Sequence, residues 1–198
     1  MKTKNETSEI LITPVEKKVL NVKIAGVEGS SLITHRLSEK TVGGFMNREI
    51  GKTNKKKIRN YDEEYESCFY YTPDKKYGII ASAFMASILD AAVACKIPKT
   101  QVKRAVRILG DILPLKYKKI NRRIDYPRRS GRNGTPDTRH RPEFIDWSTT
   151  LTILYDANQI TPDQIINLIN QAGFSSGVGD WRPSAPSSSG THGMYRVI

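Results

Sequence analysis

The stretch ITPDQIINLINQAGFSSGVGDWRPSAPSSSGTHGMYRVI, residues 160–198, decides how the chain is read. Its first half is punctuated as a helix. Thr161 stands at the N-cap, Pro162 at the first helical position and Asp163 in the first turn, where a carboxylate suits the free amides. Ile165, Ile166, Leu168 and Ile169 form the buried side, and Gly173 takes the left-handed position just past the helix end. The last five residues, MYRVI, read as a short strand. A capped helix followed by a strand obliges the chain to return to a sheet. The glycine-, proline- and serine-rich segment between them is therefore a loop pinned at both ends, not a tail.

Working outward, residues 144–156 (FIDWSTTLTILYD) predict one strong strand, with Leu151, Ile153 and Tyr155 alternating against Thr150 and Thr152. Residues 17–27 (KKVLNVKIAGV) predict a half-buried strand in which Leu20, Val22 and Ile24 alternate with Asn21 and Lys23. Residues 79–96 place Ala81, Phe84, Met85, Ile88, Ala92 and Cys95 on one helical face, stopped by Pro98. In QVKRAVRILGDILPLKY the pair Gly110-Asp111 reads as a hairpin between two strands, although TQVKRAVRIL also fits a prolonged helix. The order is β-α-β-β-α-β. The expected class is α+β and ferredoxin-like: an antiparallel sheet with two helices on one face. Residues 1–16 form a flexible N-terminus and residues 17–198 a single domain, with insertions at about 43–78 and 116–143.

The 198 residues carry 32 Lys and Arg against 20 Asp and Glu, a formal net charge of +12. Such an excess favours a polyanionic partner through counterion release. Residues 118–141 hold nine Lys or Arg against Asp125 and Asp137, a local +7, more than half of the total. In this loop Arg122, Arg123, Arg128, Arg129, Arg132, Arg139 and Arg141 interleave with Tyr126, and Tyr117 precedes it. Arginine suits bidentate phosphate contact and base stacking. The loop is expected to stay disordered until bound. Lys55, Lys56 and Lys57 make a second basic arm. No helix-turn-helix, zinc finger or basic zipper is visible, so a backbone-directed grip on single strands fits better than major-groove reading.

Two distant cysteines, Cys68 and Cys95, give neither a zinc ligand set nor a disulfide framework, which fits a reducing cytoplasm. No segment approaches the roughly 18 apolar residues of a membrane span. The glycine stretch lacks the GK[ST] of a phosphate-binding Walker loop and the strand-before, helix-after setting of a dinucleotide fingerprint. Its amides can still approach phosphates, with Trp181 as a stacking surface and Arg182 as a charged contact, or Trp181 can plug the core. The acidic run Asp62, Glu63, Glu64 and Glu66 lacks the separated clusters of a two-metal nuclease and reads as a solvated face. No cofactor or metal is expected. His35 is a weak catalytic candidate, with Arg36, Ser38, Glu39 and Lys40 beside it.

YGIIASAFMASILDAA (77–92), RPEFIDWSTTLTILYD (141–156), ITPDQIINLINQAGF (160–174) and GVGDWRP…GTHGMYRV resemble an uncharacterised family of phage and mobile-element proteins. More remotely the chain is similar to the RAMP superfamily of CRISPR-associated RNA-binding proteins. That resemblance implies a ferredoxin-like fold whose glycine loop and basic excursions line RNA, with subunits polymerising along it. Carried over, Gly177, Gly179, Arg182, Gly190 and Gly193 face the RNA. Ile80-Ala81-Ser82-Ala83 departs from the superfamily's Pro-Gly-Ser-Ser turn. The expectation is a non-catalytic binder of single-stranded RNA or DNA, of phage or mobile-element origin, with assembly along the strand as a homo-oligomer compatible with it. Two alternatives stay open: a metal-independent endoribonuclease using His35, and a phage protein-interaction factor acting on a host defence complex.

Overall fold

The computed structural model describes residues 13–36, 59–127, 137–186 and 189–198. In chain order these form β1 (Lys17–Gly26), β2 (Leu32–Ile33), α1 (Tyr61–Ser67), β3 (Tyr70–Tyr71), β4 (Tyr77–Ile80) and α2 (Ala81–Ala94). There follow α3 (Lys99–Ala105), β5 (Val106–Ile108), β6 (Ile112–Pro114), β7 (Lys119–Asp125), β8 (Arg139–Ile145), β9 (Ser148–Asp156), α4 (Pro162–Ser175) and β10 (Tyr195–Val197). The class is α+β with antiparallel sheets: a four-stranded sheet ordered β10-β1-β9-β5, and two three-stranded sheets, β2-β8-β7 and β3-β4-β6.

The four-stranded sheet buries one face, as the alternation requires. Val22 and Ile24 on β1 point inward with Leu151 and Ile153 on β9, while Asn21, Lys23 and Thr150 point out. Phe84, Ile88, Ala91 and Ala92 of α2 and Ile165, Leu168, Ile169 and Ala172 of α4 cover that face. Each fully buried Ile, Leu or Phe contributes about 1.5–3 kcal/mol. A buried polar stitch joins the layers: Tyr195 Oη donates to Ser87 Oγ (3.0 Å), which donates to the Ala172 carbonyl (3.1 Å). The α4 start is capped as read, with Thr161 Oγ1 accepting from the Gln164 amide and the Gln164 side chain returning to the Thr161 amide.

Several local expectations are corrected. Gly173 does not end α4; the helix runs on to Ser175 and the left-handed residue is Gly177 (φ 67°). Gly173 is buried inside the helix because a Cβ there would strike the Tyr195 carbonyl, so glycine lets α4 lie against β10. Gly110-Asp111 is no hairpin. β5 on one side joins β9, and β6 on the other joins β4. The segment before it divides, helical to Ala105 and extended from Val106. The single strand expected over residues 144–156 is two. Asp146 (φ 49°) turns the corner, which drops the Trp147 ring into the core and its Nε1 onto the Ser30 carbonyl (3.1 Å). Helix α2 ends at Ala94, short of Pro98, and leaves Cys95 exposed off its buried face.

For the described parts of the basic loop the expected disorder is corrected too, while residues 128–136 lie outside the described residues. Residues 119–125 and 139–145 are the paired strands β7 and β8, in register from Lys119 opposite Ile145 to Asp125 opposite Arg139. Of the acidic run, Asp62, Glu63 and Glu64 form the first turn of α1, capped by Asn60 Oδ1 accepting from the Asp62 and Glu63 amides, and Glu66 lies near the end of the same helix.

Candidate nucleic-acid interface

The glycine loop after α4 is sewn to the turn that follows β1. The Asp180 amide donates to the Ile33 carbonyl (2.9 Å), and the Gly193 amide to that of Ser31 (2.8 Å). Ser30 Oγ donates to the Thr191 carbonyl (2.6 Å) and accepts from the Met194 amide (2.8 Å). Within the loop, Val178 and Gly193 pair through backbone (3.0 Å), and the His192 amide reaches the Trp181 carbonyl (3.2 Å). Gly177, Gly179 and Gly193 have φ of 67°, 78° and 67°. At Gly193 a side chain would also run into the Val178 carbonyl.

Beneath this loop, one face of the β2-β8-β7 sheet carries alternating opposite charges: Arg123 and Asp125 on β7, Arg141 and Glu143 on β8. Arg141 is buried, its side chain 5% exposed. Its Nη2 donates to Asp125 Oδ2 (2.7 Å) and its Nη1 to Asp180 of the glycine loop. Arg123 donates from Nε to Asp125 Oδ1 (2.8 Å) and from Nη1 towards Glu143 Oε1 (3.4 Å). Two guanidinium groups thus meet three carboxylates, a local balance of −1. Burial opposes the charged form of Asp180, but the His35 ring (Nδ1 3.4 Å away) and Arg141 outweigh it and hold its pKa below the ordinary value.

The hydrogen-bond directions fix the state of His192. Ser31 Oγ donates to Glu143 Oε1 (2.7 Å), so the 2.9 Å contact with His192 Nδ1 needs the proton on the ring. The other ring nitrogen, 3.3 Å from Arg123 Nη1, is then an acceptor. His192 is neutral with its proton on Nδ1, and burial, followed by the nearby Arg123 charge, lowers its pKa. This polarity points the Ser31 hydroxyl at Glu143 and not at His192, so the Ser-His pair is not a nucleophile with its base.

The remaining sequence-selected residues fall in three places. On the opposite sheet face, Arg122 pairs with Asp62 Oδ1 (2.5 Å), bonds His140 Nδ1 (2.9 Å) and lies over the Tyr65 ring (4.9 Å to the centroid). Arg139 faces Asp137 at 3.6 Å. In the glycine loop, Arg182 turns back on its own segment, donating to the Gly179 carbonyl (3.0 Å) and Ser184 Oγ (3.1 Å). Trp181 is half-buried with φ 56°, under the Arg141 guanidinium at 5.9 Å, and its Nε1 is buried with no partner among the described residues. Gly190 packs against the Trp181 backbone. Lys55, Lys56, Lys57, Arg128, Arg129 and Arg132 lie outside the described residues.

The structure thus brings together His35, Arg123, Arg141, Trp181 and the glycine loop, and adds Ser31, Asp125, Glu143, Asp180 and His192. The signal for the added acids was the spacing of Arg123 with Asp125 and of Arg141 with Glu143, opposite charges two apart, which is how strands present ion pairs on one face. Among the described residues no group of three or more His, Cys, Asp or Glu is placed to hold a metal ion, and no helix is long and apolar enough to cross a membrane.

No family model matches the chain, and no curated protein sequence does. The phage-type family resemblance therefore stands on the sequence segments alone. The fold is similar to that of a chain in the cryo-EM structure of the Type III-B Cmr-beta bound to cognate target RNA, with a TM-score of 0.50 and 12% identity. The similarity covers 92% of this chain, which spans 59% of that neighbour's length. At that identity the likeness is one of fold.

Proposed function

We propose that this chain binds nucleic acid, with RNA the favoured class, by contacts to the backbone and exposed bases of a single strand. The observation that carries the reading is the fold likeness over 92% of the chain to a component of an RNA-bound assembly. The net charge of +12 supplies the long-range attraction. Strands β1, β5, β9 and β10 with helices α2 and α4 follow one another as β-α-β-β-α-β, which supports a ferredoxin-like unit to which the β7-β8 hairpin and the β3-β4-β6 sheet are additions. Assembly of several copies along one strand belongs to the same reading, as does action in the cytoplasm, where such strands occur. The test is retention on single-stranded oligonucleotide with rising salt. Affinity falling steeply with salt supports the reading, and no retention even at low salt overturns it.

One observation favours a second reading, RNA cleavage without metal. Asp180 Oδ2 sits 3.4 Å from His35 Nδ1 and orients the imidazole, which leaves Nε2 for proton transfer. Cleavage of labelled RNA in the presence of EDTA, abolished in His35→Ala, would establish it.

A further inference from the structure

The arginines of β7 and β8 reach acids, and a second surface carries what they lack. On the β3-β4-β6 sheet and the segment leading into β7, Tyr71, Tyr77 and Tyr117 form a continuous row. Ring centroids are 5.4 Å apart between Tyr71 and Tyr77 and 6.0 Å between Tyr77 and Tyr117. Tyr71 and Tyr117 are each 38% exposed. The interplanar angles, 38° and 61°, show that neighbouring rings are not stacked face on face and so do not cover one another.

The row is held from below. Buried Phe69 lies 4.7 Å from Tyr77 and 6.2 Å from Tyr71, and buried Phe144 lies 5.3 Å from Tyr117. Rings fixed this way lose little freedom when a ligand stacks on them. Lysines flank each end in the chain: Lys75 and Lys76 before Tyr77, Lys116 before Tyr117, Lys118 and Lys119 after it. Among the described residues Lys75, Lys76, Lys116 and Lys119 make no ion pair, and Lys118 has only an exposed contact to Asp146 at 3.7 Å. Glu66 of α1 borders Tyr71, so the favourable charge lies towards the Tyr117 end.

Aromatic faces with exposed, unpaired cations close by in the chain suit sequence-tolerant single-strand binding: bases stack on the rings and phosphates meet the lysines. We infer that Tyr71, Tyr77 and Tyr117, with Lys76, Lys116 and Lys119, are a base-stacking platform for single-stranded nucleic acid. This rests on the proposed function and gives it a site other than the glycine loop and the β7-β8 arginines. A protein partner would also use exposed tyrosines, but the exposed lysines next to them in the chain, unpaired among the described residues, favour a polyanion.

The test compares a labelled oligouridine with an abasic phosphodiester strand of equal length, by fluorescence anisotropy at low salt. Wild type should bind the base-bearing strand more tightly. The double variant Tyr71→Leu/Tyr117→Leu should bind it at least about tenfold more weakly and lose the preference over the abasic strand. Tyr71→Phe/Tyr117→Phe should behave as wild type. Photocrosslinking of 4-thiouridine RNA to the wild-type chain gives a readout independent of variant folding, and crosslinks should fall on Tyr71, Tyr77 or Tyr117. If wild type binds but the leucine variant binds equally, or crosslinks lie only elsewhere, the platform is wrong while nucleic-acid binding stands. That is also the result if the surface serves a protein. If wild type binds neither strand, the proposed function itself fails.

Discussion

Two regions of this molecule look alike in composition and differ in state. The β7-β8 face holds arginines within a segment of +7, and the tyrosine row holds lysines in a less charged stretch. Yet Arg123 and Arg141 are engaged by Asp125, Glu143 and Asp180, whereas Lys76, Lys116 and Lys119 are not paired among the described residues. A cation already bonded to buried or half-buried carboxylates must give up those bonds before it can grip a phosphate, and an exposed lysine gives up only water. The first region acts as a clamp that fixes the glycine loop to the sheet. The second is available to a ligand. Charge counted along a sequence measures attraction at a distance; pairing decides where the contact is made.

The largest expected effect breaks the clamp. Arg141→Ala removes the cation shared by Asp125 and Asp180, leaving the first with Arg123 and the second with the His35 ring, and should cost about 3–5 kcal/mol, measured by urea unfolding. A change under about 1 kcal/mol would show that the clamp is not structural. Next, Gly193→Ala forces a side chain into left-handed backbone against the Val178 carbonyl, with an expected loss of about 1–3 kcal/mol and a lower Tm.

A smaller effect is pH-dependent. The folded His192 has a lowered pKa, so the unfolded chain takes the proton first. Its contribution is complete above about pH 6.5 and is lost as the pH falls through the lower folded value. Asp180, also lowered, acts in a more acidic window, below the ordinary carboxylate value near 3.8. Tm should drop between about pH 7 and 5, and His192→Gln should flatten that first step. The smallest effect sharpens the contrast from the other side: Lys76, Lys116 and Lys119→Gln should each change stability by no more than about 0.5 kcal/mol.

The four-stranded sheet and its helices were legible because their alternation and caps are written in apolar residues. Leu151, Ile153 and the Thr161-Pro162 start are examples. The β7-β8 hairpin was not, because its inward face is charged. Arg123, Asp125, Arg141 and Glu143 leave no hydrophobic period to read, and only their opposite signs two residues apart mark a strand. Gly173 misled because a glycine near a helix end is usually its cap, whereas here it clears room for β10. The return of the glycine loop to the sheet was readable from the helix before it and the strand after it. Its attachment to Ser31 and Ile33 was not, since backbone pairing between residues so far apart in the chain leaves no local trace. Tyr71 and Tyr77 were passed over because their row arises only when β3 and β4 pair.

The most direct measurement is the salt dependence of single-strand binding for three proteins: wild type, Lys76/Lys116/Lys119→Gln, and Arg122/Arg139→Gln. Removing one phosphate-binding cation should flatten the log–log slope by about 0.7. The account predicts a slope shallower by about 2 for the lysine variant and unchanged for the arginine variant. The reverse, with the arginine variant flattened and the lysine variant like wild type, would contradict it.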